Sequence, residues 1–86
     1  MDWDEIVDKA LEREEVHLVQ TGCSDELEIL ARRVIGILYR NSIDADTDKI
    51  FFQQFRRLTS LDEDSQIRNY YQNALNWWTT AYTGRY

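Results

Sequence analysis

The sequence contains no proline and only three glycines. A β-rich fold of this length needs many tight turns, and tight turns draw on those two residues. Their scarcity excludes a small β-sandwich or barrel and favours long helices with few connections. There is one cysteine, Cys23, so no internal disulfide can form, which fits a reducing compartment. One histidine, His17, far from Cys23 in the ligand spacing that zinc needs, excludes a zinc site. No glycine-rich phosphate loop is present. The longest apolar runs are a few residues, far short of the roughly 20 needed to span a bilayer. The first residues, Met1-Asp2-Trp3-Asp4-Glu5, have neither a basic n-region nor an apolar h-region. These absences lead to the expectation of a cytoplasmic protein with no membrane segment and no cofactor.

What is present is a globular balance, with 43% hydrophobic and 30% charged residues in 86. That length fits one domain spanning 1–86, and a domain so small buries only roughly 60% of its unfolded surface. The net charge of −6 is unevenly spread. Residues 1–28 hold ten acids against Lys9 and Arg13, and the remainder holds six acids against eight bases. The acidic third repels phosphate backbones and anionic lipid, and attracts a basic partner.

Apolar spacing predicts an all-α fold, a small bundle of about four helices over 2–21, 25–41, 46–59 and 61–83. The first is capped by Asp2 with Glu5 three residues on, carries Trp3, Ile6, Val7, Ala10, Leu11 and Leu18, and meets a stop at Gly22. The second, capped by Ser24 or Asp25, carries Leu27, Leu30, Ala31, Val34, Ile35 and Leu38. The third carries Ile50, Phe51, Phe55 and Leu58. Ser60-Leu61-Asp62-Glu63 reads as a capping box opening the fourth, whose stripe is Ile67, Tyr71, Ala74, Leu75, Trp78 and Tyr82, with Gly84 as stop. The simplest arrangement of four such helices is an up-down bundle.

Motifs that carry chemistry are few. Asp44, Asp46 and Asp48 alternate before the third helix like the first ligands of an EF-hand loop. The pattern then fails, with Lys49 where the turn needs glycine and Phe55 where a bidentate glutamate closes the site. These acids are therefore read as caps, and a degenerate calcium site is the weakest reading carried forward. Glu14 and His17 have the spacing of a di-iron ligand pair, but such sites need that pair twice and two further glutamates. No acid, base or nucleophile is positioned for catalysis, so no enzyme is expected.

Two surfaces suit a macromolecular partner. Asp4, Asp8, Glu12 and Glu15 repeat along one face of the first helix and form an acidic wall. The fourth helix has a second aromatic stripe, Tyr70 and Trp77, beside its core stripe, giving an apolar arc of about 160° where an edge helix needs nearer 100°. Phe52 likewise falls outside the third helix's stripe. Either the fourth helix is central or part of it meets another chain. The expected function is a small, acidic, non-enzymatic protein that acts stoichiometrically as a regulator or inhibitor of a basic protein partner, such as one that handles nucleic acid. Phage-type inhibitors and immunity-like proteins share that physical logic. The alternative is an assembly subunit that forms a homodimer through the aromatic helix. Arg32-Arg33 and Arg56-Arg57 are expected to bridge helices, and direct nucleic-acid binding is excluded on charge.

Overall fold

A computed structural model of the chain describes residues 2–13, 25–41 and 46–83, with side chains to residue 80. Four helices occupy these residues: α1 (Trp3–Glu12), α2 (Glu26–Asn41), α3 (Thr47–Thr59) and α4 (Asp64–Thr83). The all-α expectation holds. No helix among the described residues is long and apolar enough to cross a membrane.

Local chemistry sets most of the boundaries. Asp2 caps α1 by accepting from the Glu5 amide at 3.3 Å. Asp25 accepts from the Leu27 and Glu28 amides ahead of α2, at 2.9 and 3.4 Å. Asp46 caps α3 through the Lys49 amide at 3.2 Å. Each takes up an amide that the first helical turn leaves without a partner.

Two boundaries depart from the sequence pattern. α1 ends at Glu12, with Arg13 as its C-cap, well short of the end at 21 that the spacing suggested. An arginine from α2 helps close it, since Arg33 Nη2 donates to the Leu11 carbonyl at 3.0 Å. No local stop signal accompanies that contact. Leu18 and Gly22 lie outside the described residues. Ser60, expected as the N-cap of the fourth helix, is instead the C-cap of α3, in the left-handed region at φ 61°. Its amide donates to the Arg56 carbonyl at 2.9 Å, and α4 begins only at Asp64.

From α2 to α4 the helices alternate in direction as an up-down bundle requires, but the four do not close into a ring. α3 and α4 are antiparallel, because Asp48 reaches Tyr71 while Arg56 reaches Asp64. α2 and α4 run in the same direction. Leu27 shares a groove with Tyr70, and farther along Gly36 and Tyr39 share one with Trp78 and Thr79. All three helices touch one another, so α2, α3 and α4 form a three-helix core. α1 lies across α2 and α3 and does not touch α4.

α2 and α3 therefore each meet all three other helices, whereas the fourth helix meets two and is not the hub. This explains why α2 buries Arg32, Gly36 and Ile37 as well as its predicted stripe. At its crossing with α4, the Trp78 indole N–H donates to the Arg32 carbonyl at 2.7 Å. Gly36, one turn further on, is buried and lines the same notch as Trp78, and its lack of a Cβ admits the indole there. Beside aliphatic residues such as Ile35, Leu38 and Ile67, the core holds an aromatic group between α3 and α4. Phe51 stacks on Phe55 with centroids 5.2 Å apart and meets Tyr71 at 5.0 Å. Such pairs add about 0.5–1.5 kcal/mol each beyond the area they bury.

Candidate functional site

The acidic face of α1 survives only in part. Asp4, Asp8 and Glu12 are all exposed on successive turns, as the spacing requires. Asp4 and Asp8, however, turn to α3. Arg57 Nη2 donates to Asp8 at 2.9 Å, and Arg57 Nε lies 3.5 Å from Asp4. Gln54, only 3% exposed, completes the cluster. Its Nε2 donates to Asp4 at 2.5 Å, and its Oε1 accepts from Arg57 Nη2 at 2.6 Å. The expected interhelix bridging by the arginines is thus present, and it spends part of the acidic wall. Glu5 pairs with Lys9 at 2.7 Å, and that ammonium holds its carboxyl below the usual range. Among the described residues no cation bridges Glu12, and Glu15 lies outside them.

The three aromatics singled out for a partner are each half-buried and each engaged within the chain. Tyr70 meets Phe55 at 5.5 Å. Phe52 meets Phe51 and Tyr71, with the Arg68 guanidinium 5.2 Å over its ring. Trp77 meets Trp78 edge-on at 5.2 Å and lies 4.8 Å beneath the Arg32 guanidinium. The wide apolar arc of α4 is accounted for by its two neighbours, α2 and α3. A homodimer through this helix would use rings that are already half-buried within the chain.

Among the aspartates before α3, Asp46 is the cap described above and Asp48 accepts the Tyr71 hydroxyl. Burial, then the hydrogen bond to Asp48, pushes the Tyr71 hydroxyl well above its ordinary value. Asp44 lies outside the described residues, as do Cys23, His17 and Glu14. Among the described residues no group of three His, Cys, Asp or Glu side chains is placed to hold a metal ion.

One groove among the described residues has no counterpart in the sequence pattern. It has a volume of about 550 Å³ and runs between α2 and α4 near their N-terminal ends. Asp25, Glu28, Leu27, Leu61, Tyr70 and Asn73 line it. Because α2 and α4 run in the same direction, their acidic first turns come to the same end of the core. Glu26 beside the groove, and Asp62 and Glu63 next to Leu61, are exposed. Glu28 is charge-paired with Arg32 at 3.4 Å, and Asp64, in the first turn of α4, with Arg56. Each acidic turn is visible in the sequence, but their meeting depends on the parallel packing of α2 and α4, which no local pattern encodes.

Tyr39 was also missed. At 47% it is the exposed large hydrophobic among the described residues, and it borders a groove with Gly36, Arg40, Trp78 and Thr79. Burial and the nearby Asp48 carboxylate raise its hydroxyl above the ordinary value.

Fold and surface together define an all-α protein with a three-helix core, a fourth helix laid across it and an acidic groove at one end. Comparison with protein-family models, curated proteins and solved structures found no match to this chain.

Proposed function

We propose that this protein is a small acidic binding module, without catalytic activity, that acts stoichiometrically as a regulator or inhibitor by holding a basic segment of another protein. The observation that carries the reading is the groove between α2 and α4, which Asp25 and Glu28 from the start of α2 line together with Tyr70 of α4. Leu27, Leu61 and the tyrosine ring give an apolar floor, and the carboxylates at the rim favour a lysine- or arginine-bearing segment. Tyrosine is among the residues that most often dominate binding energy at such surfaces. The net charge of −6 adds long-range attraction for a basic partner and repulsion of nucleic acid. The acidic wall of α1 supplies less of this than its sequence suggests, because Arg57 neutralises part of it.

The test is affinity capture at low salt from the cells that make the protein, with wild type beside Glu26→Lys/Glu63→Lys and Tyr70→Ser. The expected result is a basic protein retained by wild type, lost with either variant, and released by salt near about 1 M, where charges are screened within roughly 3 Å. Equal recovery on all three baits, or recovery of none, overturns the reading.

A further inference from the structure

The attachment of α1 differs in kind from that of the other helices. Of the fourteen buried hydrophobic residues among those described, only Val7 and Ala10 belong to α1. The other twelve lie on α2, α3 and α4 and pack on one another. α1 adds the half-buried Trp3, Ile6 and Leu11, and has no contact with α4. What remains at the joint is polar. Asp4 and Asp8 meet Arg57, Asp4 meets the buried Gln54, and Arg33 holds the Leu11 carbonyl. The pairing carboxylates are largely exposed, with side chains at 62% and 55%. Pairs of that kind are screened by salt and easily replaced.

We infer that α1 is a strap that opens from α2 and α3 as a unit while the three-helix core stays folded, with the Asp4–Gln54–Arg57–Asp8 cluster as its latch. Opening has two consequences. It releases Asp4 and Asp8 from Arg57, which restores the acidic stripe they form with Glu12. It also uncovers Gln54 and the seam between α2 and α3. A cation from outside that competes with Arg57 for these carboxylates therefore favours the open form, since a ligand shifts a two-state equilibrium by its differential affinity. The physical basis is local: few buried apolar contacts and a solvent-exposed polar joint mark the low-stability end of a fold.

Amide hydrogen exchange on the full chain tests this without any partner. In wild type, the α1 amides after its first turn exchange about tenfold or more faster than those in the middle of α2 and α4. Arg57→Gln speeds α1 a further roughly three- to tenfold and leaves the α2 and α4 amides unchanged. Arg68→Gln, which removes a charge from the α3–α4 side, leaves α1 as in wild type. Salt at about 1 M added to wild type moves α1 in the same direction as Arg57→Gln, and reads the latch even if that variant folds poorly. Exchange of α1 in step with the core under every condition, or an α1 indifferent to both Arg57→Gln and salt, overturns the strap. Neither result bears on the groove between α2 and α4.

Discussion

The hydroxyl of Tyr71 on α4 donates to the carboxylate of Asp48 in the first turn of α3. This bond ties the two helices where the stacked phenylalanines of α3 end, and Tyr71 itself is 6% exposed. The ring also packs on Phe51 and Phe52, so the contact couples a polar tie to the aromatic core.

A dependence on alkaline pH follows. Folding raises the hydroxyl pKa of Tyr71, through burial first and then through Asp48. The unfolded chain ionises its tyrosine at about 10, so the stabilisation is fully present below that value and is lost as pH rises beyond it. Tyr71→Phe removes this loss along with the bond. Chemical denaturation at neutral pH is expected to place the variant about 1 kcal/mol below wild type. The gap should narrow as pH climbs past 10. A constant gap from neutral to alkaline pH refutes the assignment.

Arg32 offers a second measurable case. It is 8% exposed, lies over Trp77 at 4.8 Å and reaches Glu28 at 3.4 Å. Its stem fills the α2–α4 interface while its head balances a carboxylate. Arg32→Met keeps most of that volume, and exchanging a buried ionic group for an apolar one of similar size is often close to neutral, so stability should stay within about 1 kcal/mol of wild type. Arg32→Ala loses the packing as well and should cost about 2–3 kcal/mol. It should also shift Trp77 emission to the red as the ring gains water. If the two variants are equally unstable, charge and not packing is what Arg32 contributes.

How far the fold is legible in the sequence depends on the range of the interaction. Val7 and Ala10, or Ile67, Tyr71, Ala74 and Trp78, recur at helical spacing and are buried as that spacing implies. Asp2, Asp25 and Asp46 cap helices by reaching amides two or three residues away. The closing of α1 is different, because Arg33 acts from 22 residues away on Leu11. Arg57 and Asp8 are 49 residues apart, and nothing in either segment names the other. The groove belongs to the same class, since Asp25 and Tyr70 meet only because α2 and α4 pack in parallel. The candidate groove is therefore half visible: Tyr70 stands out by composition, whereas the company of Asp25 and Glu28 depends on how α2 and α4 pack.

The aspartates ahead of α3 have structural work that is independent of any ion. Asp46 accepts the Lys49 amide, and Asp46→Ala should cost about 1 kcal/mol, the usual loss on removing an aspartate cap. Thermal unfolding with and without millimolar calcium separates capping from a metal site. A cap gives the same loss in both conditions. A calcium-dependent difference between wild type and the variant would restore the ion-binding reading of this turn.

Ser60 shows why a local motif misled. A serine followed three residues later by Glu63 has the form of a capping box, and in isolation it marks a helix start. Here the preceding helix claims the residue. Its amide bonds back to Arg56, Thr59 Oγ1 accepts from the Leu61 amide, and φ of 61° turns the chain away from α3. The left-handed conformation costs a residue with a Cβ about 1–2 kcal/mol, a penalty that glycine escapes. Ser60→Gly should therefore stabilise the protein by about 0.5–1 kcal/mol after the extra unfolded-state entropy of glycine is offset. Ser60→Val should destabilise it by more than that, because branching at Cβ crowds the left-handed region further. Were Ser60 an N-cap of α4, the order would differ, with glycine costing a few tenths of a kcal/mol instead of adding stability. The sign of the glycine effect, read from urea midpoints of the two variants and wild type, decides between the roles.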